Sequence, residues 1–270
     1  MHRRAIVSLA FAVVTLLGVC GSSPLSVSGA KPKITFSVQN WAKLVADPKA
    51  YAGDPVNIVL QIFTDPQTAS NGIIAYQGYA DPARDNWATI VYTRVKGIES
   101  GDFVKVRGVV YGQFTGKNAL GGSITDVTLV ASHVTEASVL DAAPPAIRTV
   151  KLTSARDVQH DIVVRVTEVD FAASETRVFV TVANDSQTEA SFYPFDAKAV
   201  QGDTQVSADD SSELLQYPAV ETDLMPGVVS RGVLVLPAMN PSRATTIYLS
   251  AGSNDFTETF DPFVFQVPAK

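Results

Sequence analysis

Val56, Ile58, Leu60 and Ile62 alternate with Asn57, Val59 and Gln61, so one side of an extended segment is wholly apolar. Successive side chains of a strand point to opposite faces, and this alternation specifies a strand with one buried face. The pattern recurs along the chain. In the first half, strands are expected at Val56–Thr64, Ile73–Tyr79, Trp87–Arg94, Phe103–Tyr111 and Ile124–Val134, with Asn71-Gly72 as a turn. From Arg148 onward about seven strands are expected, among them Ile162–Phe171, Thr176–Ala183, Gly227–Leu236, Thr245–Ser250 and Phe263–Val267. One helix is expected after Asn40, where Trp41, Leu44 and Val45 share a face and Pro48 ends the run. The expected fold class is all-β, and the five short strands of the first half suggest a small closed barrel or sandwich.

The chain has 270 residues, 46% apolar and 18% charged, a balance that excludes intrinsic disorder. A chain of this length usually divides its core between domains. The consecutive prolines in Ala142-Ala143-Pro144-Pro145-Ala146 mark a linker, because they favour an extended course and remove backbone donors. The expected division is a first domain over 35–138, a Pro-rich linker over 139–148 and a second domain over 149–270. Charge follows the same division. Residues 35–135 carry eight basic and eight acidic side chains, whereas residues 149–270 carry eight basic and seventeen acidic ones. Acidity reads as solvation of the second half and leaves the neutral first half as the better contact surface.

Met1-His2-Arg3-Arg4 followed by the apolar run Ala5 to Val19 has the form of a secretory signal peptide, and the run is too short to span a bilayer. The only cysteine, Cys20, follows directly in Leu17-Gly18-Val19-Cys20-Gly21-Ser22-Ser23. This stretch resembles the lipobox of bacterial lipoproteins. The resemblance implies cleavage after residue 19, lipid attachment at Cys20, a tether over 21–34 and an extracytoplasmic, membrane-anchored location. Val19 departs from the Gly or Ala that usually precedes the cysteine. Ser28-Gly29-Ala30 offers a competing site that would yield a secreted protein.

Trp41-x-x-Leu44, Asp47-Pro48-x-x-Tyr51-x-Gly53-x-x-Val56 and Gly101-Asp102-x-Val104-x-Val106-x-Gly108-x-Val110 resemble a bacterial OB-fold domain. The resemblance implies a five-stranded barrel that Gly108 allows to coil. The alternating run Arg177 to Ala183 with Asn184-Asp185-Ser186, then Leu224-Met225-Pro226-Gly227 and Gly232-Val233-Leu234-Val235-Leu236-Pro237, resemble an Ig-like domain of unknown function. That domain recurs in bacterial lipoproteins, some labelled as telomeric-repeat-binding-factor-like. The two resemblances together imply a small OB-like β-barrel followed by an immunoglobulin-like β-sandwich, whose core, with no cysteine pair, relies on packing alone.

Catalytic signatures are few. His133 reads as a structural imidazole within a strand and His160 as an exposed strand-start residue; no spacing supplies a zinc site. There is no Gly-x-Ser-x-Gly elbow. Gly112-x-x-x-Gly116-Lys117-Asn118 lacks the phosphate-loop spacing and reads as a flexible connection. Asp209-Asp210-Ser211-Ser212-Glu213 reads as a solvated loop or, with oxygen ligands, a calcium loop. No cofactor or metal is expected.

OB-type barrels bind ligands across their second and third strands. If Ile74 and Tyr76 point inward, alternation turns Gln77 and Tyr79 outward. Trp87, Thr89 and Thr93 are expected to join them, with Phe103, Lys105 and Arg107 outward on the next strand. Such a face could stack sugar rings or single-stranded bases, although overall acidity and export disfavour nucleic acid. The expected function is a non-catalytic binding or scaffolding module of the cell envelope, its partner an envelope protein or glycan. A hydrolase using a carboxylate pair is the rival and expects a deep pocket with converging carboxylates.

Overall fold

The computed structural model describes residues 34–82, 86–117, 122–208, 215–253 and 258–270. The signal segment, Cys20, the competing cleavage site and the acidic cluster 209–213 lie outside the described residues. The chain divides into two compact units at Ala142/Ala143.

In the first unit a six-residue helix, α1 (Trp41–Ala46), buries Trp41 and Leu44. Asp47 then accepts a hydrogen bond from the Ala50 amide to start a 3-10 turn at Pro48–Tyr51. The strands are β1 (Pro55–Ile62), β2 (Gln67–Thr68), β3 (Ile74–Asp81), β4 (Asn86–Thr93), β5 (Phe103–Lys117) and β6 (Ser123–Ala137). Their order is β1-β5-β6-β4-β3-β2, and an additional β1–β3 pairing closes five of them into a ring. All neighbours are antiparallel except β4 and β6. This is the Greek-key order of an OB-type barrel. Inward-facing Val56, Ile58, Leu60, Ile62, Ile74, Tyr76, Val91, Val104, Val106, Val110, Val127 and Leu129 fill it, with Phe36, Trp41 and Leu44 in the same core.

Two bulges bend β5 against β6, one between Arg107 and Gly108 and one between Val110 and Gly112. A Cβ at residue 108 would run into the Val130 carbonyl, so only glycine lets the two strands approach this closely. The reading of Gly112–Asn118 as a flexible connection is corrected: β5 continues to Lys117, paired with β6 as far as Ser123. The second bulge resets the alternation at Tyr111, and the strand therefore outruns its Val-rich part. After β6, a helical turn α2 (Val139–Ala142) is capped by Ser138, whose amide and hydroxyl both donate to the Asp141 carboxylate and hold its pKa below the usual range.

Among its described residues the second unit holds twelve strands rather than about seven, because short pairings join the long alternating runs. They are β7 (Ala146–Lys151), β8 (Arg156–Gln159), β9 (Ile162–Ala172), β10 (Glu175–Asn184), β11 (Ala190–Phe192), β12 (Lys198–Gln201), β13 (Thr204–Ser207), β14 (Asp223–Leu224), β15 (Val229–Pro237), β16 (Thr245–Leu249), β17 (Ala251–Ser253) and β18 (Phe263–Val267). One sheet runs β15-β10-β9-β7, with β8 also on β9; another runs β13-β12-β16-β18; β14-β11-β17 forms a small third. The chain crosses between the two large sheets from β10 to β12, from β13 to β15 and again to β16, the course of an immunoglobulin-like sandwich. Val164, Val166, Val169, Phe171, Val178, Val180, Leu234, Leu236, Ile247, Phe263 and Phe265 are among the side chains of its core.

Arg177 is buried on the outer side of β10, where it pairs with Asp170 at 3.2 Å and Glu175 at 2.7 Å and donates to the Pro144 carbonyl. The Tyr217 hydroxyl donates to Glu175 as well. Residues 218–221 lie against the otherwise free edge of β15, with the Val233 amide donating to the Pro218 carbonyl and the Glu221 amide donating to the Ser230 hydroxyl. A Cβ on Gly232 would meet the backbone of Ala219 and Val220 at 2.5 Å, so the fit of this segment depends on glycine. No helix among the described residues is long and apolar enough to cross a membrane.

Leu129 is fully buried on β6 inside the barrel. Leu129→Ala is expected to cost about 2–5 kcal/mol in urea-unfolding measurements, through lost transfer energy and the cavity left behind.

Candidate functional site

Registers decide which side chains share the barrel's outer surface. On β3 and β4 the pairs Tyr76–Val91, Ile74–Thr93 and Gly78–Thr89 face the core, whereas Ala75–Tyr92, Gln77–Ile90 and Tyr79–Ala88 face outward. Gln77 and Tyr79 thus lie outward as expected. Trp87, Thr89 and Thr93 do not: Thr89 and Thr93 are buried, and Trp87 packs partly against the barrel core. Trp87 also adopts a φ of 58°, a left-handed conformation uncommon for a bulky residue, at the start of its strand. The expected face is therefore wrong by one residue on β4. Ala88, Ile90 and Tyr92 occupy the positions given to Trp87, Thr89 and Thr93.

Phe103, Lys105 and Arg107 do point outward, opposite Gln61, Val59 and Asn57 of β1. Tyr79 lies in one row with Gln61 and Phe103, across β3, β1 and β5. Tyr79 also stacks on Phe63 with ring centroids 4.2 Å apart. His133, opposite Arg107, is exposed rather than built into the core. Lys105 and Arg107 therefore belong to the β1–β5–β6 side of the barrel, and the structure does not bring them together with the β3–β4 face.

The β3–β4 face carries its own site. A row runs from Gln77 through Ile90 and Thr128 to Gly112, across β3, β4, β6 and β5. Ile90 is 5% exposed yet stands outside the barrel core. It floors a pocket of about 40 Å³ lined by Thr64, Gln67, Ala75, Gln77, Tyr92 and Phe114. Thr64 and Gln67 come from the connection between β1 and β3, and Phe114 comes from the far half of β5. Tyr92 meets exposed Tyr111 edge-on at 6.2 Å, and Val109 and Val130 extend the apolar surface beside them. Among the described residues no lysine or arginine lines the pocket. Sequence reasoning missed Tyr92, Tyr111 and Phe114; the aromatic content of β4 and β5 was visible, but not which rings share a face.

Beside this row, Thr128 Oγ1 is buried without a hydrogen-bond partner among the described residues. Asp126, two positions away and opposite Phe114, is 7% exposed. Burial raises its carboxyl pKa to about 6. Among the described residues no three His, Cys, Asp or Glu side chains cluster to hold a metal. His160 sits at the turn between β8 and β9 in the second unit, where Nδ1 pairs with Glu258 at 2.9 Å and Nε2 approaches the Thr259 carbonyl at 3.1 Å.

The raised pKa of Asp126 makes stability depend on pH. The fold favours the protonated carboxyl, so stability is full below the ordinary value of 3.8 and falls as pH rises through about 6. The loss is at most about 3 kcal/mol. Asp126→Asn is expected to raise the melting temperature at pH 7–8 and to leave it unchanged near pH 4. An equal effect at both pH values would show that the carboxyl is not strained by burial.

No family model matches the chain, and no curated protein matches it. Among solved structures, ycdA, a candidate lipoprotein of Bacillus subtilis, is 12% identical over 43% of this chain and 38% of its own, with a TM-score of 0.33. A functionally unknown protein from Listeria monocytogenes is 12% identical over 46% of this chain and 87% of its own, with a TM-score of 0.35.

Proposed function

We propose that this chain is an exported lipoprotein, anchored through Cys20, whose barrel binds a neutral glycan of the cell envelope without chemical conversion. The single observation behind the ligand class is the pocket on β3 and β4. It combines the Tyr92 and Phe114 rings with the amides of Gln67 and Gln77 and the Thr64 hydroxyl, and among the described residues no lysine or arginine lines it. Rings and amides suit the apolar faces and hydroxyls of sugars, whereas phosphodiester chains call for lysine and arginine. The position also favours binding, since OB-type barrels take ligands on this face and between these connections.

The anchor rests on the sequence, through Arg3, Arg4, the apolar run and Leu17-Gly18-Val19-Cys20. We read the sandwich as the Ig-like domain of unknown function found in bacterial lipoproteins, with a scaffolding role. Asp126 supports one competing reading: a carboxyl with a pKa near 6 suits a general acid, so a glycan hydrolase is the second candidate.

Mass spectrometry of the mature N-terminus is expected to find lipid-modified Cys20; a chain beginning at Lys31 would refute the anchor. Titration with neutral oligosaccharides such as N-acetylglucosamine tetramers is expected to show binding, weakened about ten-fold, or ~1.4 kcal/mol, by Tyr92→Ala. Tight binding of single-stranded DNA at low salt would refute the glycan reading. Cleavage of the oligosaccharide, abolished by Asp126→Asn, would establish the hydrolase instead.

A further inference from the structure

The second unit is the acidic one, yet one side of its β15-β10-β9-β7 sheet gathers unpaired cations. Arg156 of β8 stands directly opposite Arg165 of β9, Arg165 opposite Thr181 of β10, and Thr181 opposite Arg231 of β15. Three arginines therefore share one row on one face. With strands about 4.8 Å apart, Arg156 and Arg165 are neighbours and Arg231 lies about 10 Å beyond. All three are exposed, and none has an ion-pair or hydrogen-bonding side-chain partner among the described residues. Like charges directly opposite each other destabilise a sheet. Residues 149–270 hold seventeen carboxylates, yet among the described residues none forms an ion pair with Arg156 or Arg165.

The local backbone builds a hollow at the same place. β9 bulges at Thr167, because Phe179 pairs with Glu168 and Val180 with Val166. Opposite the bulge, the chain leaves β9 after Lys151 and returns at Arg156, bridged by the Leu152 amide to Thr167 and the Val166 amide to Ala155. This break opens a hollow of about 300 Å³ lined by Lys151, Arg156 and Arg165 with the hydroxyl residues Thr153, Ser154 and Thr167. Bulges commonly re-aim side chains beside binding sites. Glu168, opposite Lys151, is the nearby carboxylate on this face, and it makes no ion pair with Lys151.

We infer that this hollow and its arginine row form a binding site for a phosphate-bearing anion. Two guanidinium groups on adjacent strands grip one phosphate between them, the hydroxyls add donors, and Arg231 reaches a second anionic group of the same ligand. The repulsion between Arg156 and Arg165 is relieved when an anion sits between them. The inference does not depend on the glycan reading of the barrel.

Calorimetric titration of the full chain with inorganic tripolyphosphate tests it. Saturable binding is expected, weaker at high salt, and reduced about ten-fold or more in the Arg156→Gln/Arg165→Gln double variant. The melting temperature of that variant without ligand is expected to equal or exceed the wild type's, because a repulsion is removed; a purely structural role would lower it. Arg243→Gln/Lys270→Gln, with the same charge change elsewhere in the unit, is expected to bind within about two-fold of wild type. No saturation by tripolyphosphate, or equal weakening in both double variants, would overturn the site. Vesicles distinguish the source. Stronger retention of wild type than of Arg156→Gln/Arg165→Gln on phosphatidylglycerol, but not on phosphatidylcholine, places the phosphate on a lipid headgroup. Equal retention of both, with tripolyphosphate binding still arginine-dependent, places it on a soluble polymer.

Discussion

The parallel pairing of β4 with β6 is the constraint on which the barrel depends. Four register pairs, Thr89–Val127 to Tyr92–Val130, complete the ring, which would otherwise be an open sheet with two long edges. They also set the ligand side, because they fix which residues of β4 look outward. Ile90 and Tyr92 stand on the outer side of the barrel only because Val91 is held against Leu129. A shift of one residue would bury Tyr92 and expose Val91. The pocket is a consequence of how the barrel closes, not an addition to a finished scaffold.

The architecture was legible where one parity of a strand is apolar and the other polar. Val56 to Ile62 and Phe103 to Val110 read correctly, and so did the outward positions of Lys105 and Arg107. β4 did not, for a physical reason. Ala88-Thr89-Ile90-Val91-Tyr92-Thr93 has small, apolar or aromatic residues at both parities, so alternation carries no orientation. Only the pairing with β3, in which Val91 meets Tyr76, decides the face. The bulge at Tyr111 was equally hidden, since it depends on how β5 lies against β6 rather than on any local turn residue.

Charge gives the converse lesson. The surplus of carboxylates in residues 149–270 reads as solvation of the second unit. Arg231 is far along the chain from Arg156 and Arg165, and the three reach one row only through β8, β9, β10 and β15. Arg177 shows the opposite use of the same side chain: buried, it is neutralised by Asp170 and Glu175. Net charge describes how a unit interacts at long range; register decides what it presents at contact distance.

The segment 218–221 against β15 bears on association between copies. An uncovered sheet edge offers a line of free amides and carbonyls to which a strand from another molecule can zip, the first step of edge-to-edge aggregation. Here residues 218–221 cover the middle of that line, the Val233 amide already donating to Pro218, and Gly232 lets the cover sit close against the strand. A protein held with its neighbours at high local density would meet such encounters constantly. At this edge the fold keeps its copies separate without using charge to do it.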